Sequence, residues 1–343
     1  MAGGISGKSS AMTVSEAAVS LRHDFVPRRW LRNGHFQTLA CSFLPRLDCR
    51  AKEEARLIRV TEDTKILCHC HWQANRRQAL TLIAVHGLEG SSSSQYMIGT
   101  AQKAWAAGMN VVRMNMRNCG GTENLTPTLY NSSLSGDVDA VVRALISEDK
   151  LSRIAVAGFS MGGNLVLKCA GEWGRVAPPE VEAISAISPA MDLAASADAL
   201  HRPSNRIYEW AFLVGLHRRM ARKARLFPQF YRSYPLFSIR SLREFDEKIT
   251  APHGGFSGAD DYYARAGASQ LVDRLALRTL IIHSRDDPFI LLTEETRAKI
   301  LANPKITLIE TRHGGHCGFL ASSDGYDGRW AEQQTIAFLE HGS

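Results

Sequence analysis

The stretch Ile154-Ala155-Val156-Ala157-Gly158-Phe159-Ser160-Met161-Gly162-Gly163-Asn164-Leu165 decides the reading of the chain. An apolar run carrying β-branched residues ends in Gly158-Phe159-Ser160-Met161-Gly162, and a helix-compatible segment follows at once. A serine so placed, with glycine two residues before and two after, has the form of a nucleophile elbow: a buried parallel strand, a tight turn, then a helix. The turn holds Ser160 on a strained backbone with its hydroxyl pushed outward. Gly158 and Gly162 let strand and helix close up without side-chain clash. The pentapeptide alone arises by chance in many proteins, and the bland alternative is a plain glycine-rich turn. The strand before it and the helix after it give it meaning.

The surrounding chain repeats this rhythm. From about Arg56 onward, β-rich runs at 56–60, 66–72, 80–85, 111–116, 153–157, 183–187, 277–283 and 306–310 alternate with helical patterns at 96–107, 135–147, 162–173, 294–301 and 330–340. Such alternation predicts an α/β fold built on a mostly parallel sheet. The first two strands are separated by only Glu62-Asp63-Thr64, which predicts an antiparallel hairpin at the sheet edge. Between about 192 and 275 no strand is evident, and the chain turns helical, basic and aromatic, as in Ile207-Tyr208-Glu209-Trp210-Ala211-Phe212-Leu213. An insertion between two late strands, where strand C-termini emerge, would lie over a site as a cap or lid; the alternative is a solvated decoration. Residues 1–24 are expected to form a flexible leader, and 25–343 a single domain.

Composition excludes several classes. Across 343 residues, 45% are hydrophobic and 22% charged, ordinary for a globular protein with a sizeable core. No apolar run is long enough to span a bilayer, and Met1 to Ser20 lack the charged start and apolar block of a secretory signal. Seven scattered cysteines (Cys41, Cys49, Cys68, Cys70, Cys119, Cys169 and Cys317) make no disulfide framework and suit a reducing, cytoplasmic setting. Cys68-His69-Cys70-His71 invites a zinc reading, but in a strand cysteines and histidines would face opposite sides, so no metal is expected. The net charge of +7 is local: ten basic residues against Glu209 between His201 and Arg243 leave the remainder slightly acidic. A nucleic-acid binder would be basic more widely.

A serine hydroxyl needs a base held by a third group, and in this architecture the chain order is serine, acid, histidine. The apolar run Leu280-Ile281-Ile282-His283 leads into Ser284-Arg285-Asp286-Asp287-Pro288. Asp287 is the preferred acid, since the following proline favours an extended or turn conformation that can aim its carboxylate over the sheet. Asp286 is the runner-up, with a turn-capping role as its alternative, and Asp192 is a third candidate. For the base, Thr311-Arg312-His313-Gly314-Gly315-His316 supplies a glycine-rich loop after the last strand; His316 is preferred and His313 is the alternative. A tetrahedral oxyanion needs backbone donors. The strand at 80–85 runs into His86-Gly87-Leu88-Glu89-Gly90, so the N–H groups of Leu88 and Met161 are the expected pair, with His86 a structural loop residue.

At this point the sequence resembles the α/β-hydrolase superfamily, and more narrowly the YheT-like hydrolases with their eukaryotic α/β-hydrolase-domain relatives. The narrower match rests on Asn33-Gly34-His35-Phe36-Gln37-Thr38, His86-Gly87-Leu88-Glu89-Gly90, Asn115-Met116-Arg117-Asn118-Cys119-Gly120-Gly121, the elbow, Arg243-Glu244-Phe245-Asp246, Asp261-Tyr262-Tyr263, Asp286-Asp287-Pro288-Phe289 and Gly314-Gly315-His316-Cys317-Gly318-Phe319. The resemblance implies an eight-stranded core with helices on both faces, a helical cap, a Ser160–Asp287–His316 triad and carboxylic-ester hydrolysis without a cofactor. One departure is Arg117-Asn118-Cys119-Gly120, where relatives often carry Arg-Gly. Within such a family, substrates range from short-chain esters to phospholipids.

The expectation is therefore a serine esterase acting on short- to medium-chain acyl esters through an acyl-enzyme. Lipase, phospholipase, thioesterase or peptidase action by the same triad is the alternative, since the fold does not fix the leaving group. A non-catalytic binding protein would be expected to lose a triad position. In the cap, Trp210, Phe212 and Leu213 are candidates to meet acyl chains. Arg218, Arg219, Arg222, Lys223 and Arg225 could attract an anionic head group or make weak contact with a membrane surface, against the alternative of an outward solvated face.

Overall fold

The protein is described here by a computed structural model covering residues 25–44, 46, 51–231, 238–323 and 326–340. The expected leader at 1–24, Cys49 and Arg232 lie outside the described residues. Eight strands form one sheet: β1 (Glu54–Thr61), β2 (Thr64–His71), β3 (Thr81–Val85), β4 (Asn110–Met114), β5 (Ile154–Phe159), β6 (Val181–Ile187), β7 (Arg278–Ser284) and β8 (Ile306–Thr311). All eight fall where the sequence pattern puts them, to within about two residues at each end. The run at 111–116 leaves the sheet after Met114, where the Asn115 side chain accepts from Ser92 N at 2.8 Å and donates to Leu67 O at 3.1 Å.

The strand order is β1-β2-β4-β3-β5-β6-β7-β8. The sheet is mixed: β2 is antiparallel to both β1 and β4, and the pairs from β4 to β8 are parallel. The hairpin turn between Thr61 and Thr64 is too short to join anything but antiparallel neighbours. The chain runs outward from β3 to β4 and then crosses back to β5 on the other side of β3. The β3/β5 boundary is thus a topological switch point, where loops at the strand C-termini part and leave a crevice.

Both faces of the central strands are buried, and side-chain alternation divides the core between them. Ile83, Val85, Val112, Ile154 and Val156 pack with α3 (Ser135–Asp149) and α4 (Met161–Trp173) through Val138, Val142, Leu165 and Val166. Leu82, Ala84, Val111, Ala155 and Ala157 pack with α2 (Gln95–Ala106) and the C-terminal helix Trp330–Glu340 through Met97, Ala101, Ile336 and Phe338. Cys68 and Cys70 lie in the first of these layers, whereas the His71 ring meets Trp105 on the α2 side. That is the division of faces that a strand imposes.

Between β6 and β7 the described chain is helical, beginning with α5 (Leu193–Leu200) and α6 (Arg206–Leu226). α6 is tied down along its length. The Tyr208 ring stacks on His35 of α1 (Gly34–Phe43) at 5.7 Å, and its hydroxyl lies 3.0 Å from His35 Nδ1. Arg219 Nε donates to Glu89 Oε1 at 2.9 Å and Lys223 Nζ to Glu123 O at 3.2 Å. Two of the five cations expected to reach outward are therefore buried, since Arg219 is 9% exposed and Lys223 fully enclosed. Arg222 is exposed but bound to Glu123 at 2.8 Å. Only Arg218 and Arg225 of that group stand in solvent without an ion pair among the described residues.

Candidate active site

Ser160 caps α4 with φ 54° and ψ −119°, a backbone region that non-glycine residues rarely occupy. Such a conformation costs on the order of 1–3 kcal/mol and persists only when the surroundings hold it. Here Ser160 N donates to Ile187 O at 2.9 Å, and Ser160 O accepts from Ala190 N and Asn164 N. A Cβ on Gly158 would lie 2.2 Å from Gly162 O, and one on Gly162 would lie 2.3 Å from His86 O. Both elbow glycines are thus required by contact with backbone, which cannot yield as a side-chain tip can.

His316 Nε2 lies 2.9 Å from Ser160 Oγ, and His316 Nδ1 lies 2.8 Å from Asp287 Oδ2. The second Asp287 oxygen accepts from Ile290 N at 2.9 Å and Phe289 N at 3.2 Å, which fixes the carboxylate in a buried position. Asp286 does other work: its Oδ1 accepts from Ser284 Oγ at 2.5 Å and Gly315 N at 2.8 Å, so it pins the loop that carries His316. His313 sits near Asp286, with Nδ1 3.4 Å from Oδ2. Asp192 accepts from Thr293 N and Thr296 Oγ1, at the start of the helix Glu294–Ala302. The structure brings together Ser160, Asp287 and His316, places Asp286 and Asp192 where they hold neighbouring backbone, and leaves His313 beside Asp286.

Burial disfavours the His316 imidazolium, but the Cys317 sulfur and the Asp287 carboxylate outweigh it and raise its pKa above the usual imidazole value. His86 is the opposite case, with burial bringing it down to about 4. Its Nε2 accepts from Met116 N at 3.1 Å, so Nδ1 carries the proton and donates to Gly87 O at 2.8 Å. His86 is thus a neutral strut beneath the loop that carries Leu88.

That loop is held from three sides. Gly87 N donates to Tyr96 Oη at 2.9 Å, Gly90 N to Gly87 O at 3.1 Å, and Glu89 N to Tyr130 Oη at 3.2 Å. Among the described residues, neither Leu88 N–H nor Met161 N–H is consumed by another group. Met161 is the first residue of α4, where a backbone N–H has no partner within the helix and the helix dipole favours negative charge.

Two pockets meet at Ser160. One is lined largely from the 192–275 segment, by Phe212, Leu216, Phe245 and Tyr263 together with Leu88 and Met161, among others. The other lies towards α1 and α2, against Thr38, Tyr96, Tyr208, His316 and Cys317. Leu88, Ser160, Phe212 and Phe289 border both. Of the three residues expected to meet acyl chains, only Phe212 lines these pockets. Trp210 is 67% exposed and Leu213 is buried in the core, and neither lines either of these two pockets. Helical phase is the reason: Phe212 and Leu216, four residues apart, share the inner face, while Trp210 and Leu213 point elsewhere.

Sequence reasoning missed α1 as an element. Thr38 Oγ1 accepts from His316 N at 2.8 Å and donates to Gly34 O, so α1 is the floor of the histidine loop. Gln37 ties the same helix to Leu31 O and to both backbone groups of Leu320. A local signal was present: Asn33 caps the helix, accepting from His35 N at 2.9 Å.

The fold and this arrangement define a class, and comparison with known proteins agrees. Residues 81–322 match the model of the alpha/beta hydrolase fold family, and the chain belongs to that family. YheT of Escherichia coli strain K12, named as a candidate esterase, is 32% identical over 92% of this chain and 93% of its own length. Phospholipase ABHD3 of Mus musculus is 26% identical over 98% of this chain and 84% of its own. Among solved structures, the Pyrococcus furiosus esterase Pf2001 matches with a TM-score of 0.57 at 16% identity, covering 87% of this chain and 98% of its own, a likeness of fold.

Proposed function

We propose that Ser160 is an acylating nucleophile, with His316 as its base and Asp287 as the group that orients and supports the histidine. The observation that carries the reading is the unbroken relay of 2.8 and 2.9 Å from Asp287 through His316 to a serine held at positive φ. The enzyme is a carboxylic ester hydrolase. His316 Nε2 takes the Ser160 proton as Oγ attacks the ester carbonyl carbon, and the carbonyl oxygen becomes an oxyanion facing the Leu88 and Met161 amides. The tetrahedral intermediate collapses, the bond to the alkoxy oxygen breaks, and His316 gives that oxygen the proton. Water then attacks the acyl-enzyme, losing its proton to His316, and Ser160 Oγ leaves with that proton while the acid departs. No step calls for a metal or cofactor.

The relatives named esterase and phospholipase favour carboxylic esters as the substrate class. Two pockets converging on one serine suit a substrate with an acyl arm and an alcohol arm. The helical segment at 192–275 serves as a cap, with Phe212 touching both arms, and 25–343 acts as one catalytic domain. Among the described residues no helix is long and apolar enough to cross a membrane.

A panel of activated oxygen esters, thioesters and amides of matched acyl groups, graded in length, tests the reading. The expected result is turnover of short- to medium-chain oxygen esters with the highest kcat/KM in the panel. A preference for thioesters or amides at every length would move the enzyme to another class of acyl transfer.

A further inference from the structure

Two stretches singled out by family resemblance, Arg243 to Asp246 and Asp261 to Tyr263, contribute nothing to the triad, yet the fold joins them. Tyr263 Oη donates to Asp246 Oδ2 at 2.8 Å, and both side chains line the cap-side pocket that also contains Ser160. Asp246 opens a π-helical turn, Asp246–Thr250, a rare geometry that recurs at functional positions. It is buried, and no ion pair reaches it among the described residues, because the nearby Arg243 guanidinium is engaged by Asp198 and Asp260. Burial pushes its carboxyl up to about 6, against the pull of Thr250, Tyr263 and Arg243.

A carboxylate buried without a cation is costly, and carboxylates in such places are ordinarily paired. Two hydrogen bonds, from Tyr263 and Thr250, leave acceptor sites on its oxygens unfilled. The rest of that pocket is dominated by apolar side chains such as Leu193, Phe212, Leu216 and Ile290. Packing alone gives no reason for an acid there.

The chemistry at Ser160 says which half of the substrate meets it. The leaving oxygen must receive its proton from His316, which borders the α1-side pocket and not the cap-side one. The alcohol therefore departs through the α1 side, and the acyl group occupies the pocket that holds Asp246. We propose that Asp246 is a specificity-determining residue, and that the cap-side pocket takes acyl groups bearing a hydrogen-bond donor, above all an ammonium, which Asp246 accepts.

This rests on the ester-hydrolase reading, and the test separates the two. Activated esters of unbranched acids ending in methyl, hydroxyl or ammonium are compared at matched chain lengths, with wild type and Asp246→Asn. At one or more lengths, kcat/KM for the ammonium-ended ester is expected to exceed that for the methyl-ended one by about tenfold or more, the size of one charge-assisted hydrogen bond. In Asp246→Asn, which keeps an acceptor for Tyr263, the ratio is expected to fall to near unity. Preference for the methyl end at every length in wild type, or a ratio unchanged in the variant, would overturn the proposal while leaving ester hydrolysis intact. Calorimetry with the free acids reads the same pocket without turnover. Tighter binding of the ω-amino acid by wild type than by Asp246→Asn supports the role, and equal binding refutes it.

Discussion

At the residue scale, Asp286 and Asp287 show how little separates the proposed catalytic partner from a structural neighbour. They are adjacent and both carboxylates accept two or more hydrogen bonds, but only Asp287 faces His316 Nδ1. Asp287→Asn would present an amide where the imidazole N–H needs an acceptor and would disturb the tautomer that leaves Nε2 free. Loss of such an acid lowers kcat by roughly 10⁴ in a serine triad. A loss of orders of magnitude is therefore expected for Asp287→Asn. Asp286→Asn keeps the Oδ1 acceptor for Gly315 N, and a loss of less than about tenfold is expected. Steady-state kinetics on one activated ester compares them, and the reverse ranking would exchange the two roles. The sequence alone left this pair open, because Pro288 constrains the backbone but does not say which of two neighbouring side chains turns inward.

At the scale of elements, the segment least legible in the sequence is α6. Its six basic residues against Glu209 alone read as a charged outer surface. Yet Arg219 and Lys223 face inward, to acids and carbonyls some hundred residues earlier in the chain. A charge count over a window sees only the near side of such pairs. The consequence is a clamp: Arg219 holds Glu89, Glu89 accepts from Tyr130 Oη at 2.5 Å, and Leu88 is the next residue. A Cβ on Gly215 would come within 2.5 Å of Glu89 Oε2, so helix and loop are in direct contact. Arg219→Met would leave Glu89 without its cation and free the loop. A fall in kcat of about tenfold or more at little-changed KM is expected, since a displaced oxyanion donor acts on the transition state alone. Arg219→Lys should recover part of it. A lower Tm with unchanged kcat in Arg219→Met would show that the clamp holds the cap and has no hold on the oxyanion site. α1 escaped notice for a related reason, since the bonds of Gln37 to Leu320 span the length of the chain.

At the scale of the whole molecule, the fold was legible because its signals are local and repeated. β-rich runs alternate with helical ones, and the elbow falls at a turn where glycine contacts backbone on both sides. What the alternation does not carry is sheet order. The excursion to β4 and the return to β5 place the Leu88 loop and Ser160 on neighbouring strands, β3 and β5, at the switch point. The site thus follows from topology as much as from motif. Four separated segments, after β3, β5, β7 and β8, deliver Leu88, Ser160, Asp287 and His316 to one crevice. On the proposed mechanism, this convergence makes Ser160 a nucleophile. Incubation with an acyl-mimicking organophosphonate, followed by intact-mass and peptide mass spectrometry, reads it directly. A single adduct on Ser160 is expected, with no adduct on Ser160→Ala and loss of ester turnover on the order of 10³-fold or more in that variant. An adduct on another residue, or a Ser160→Ala protein that turns over esters as wild type does, would contradict it.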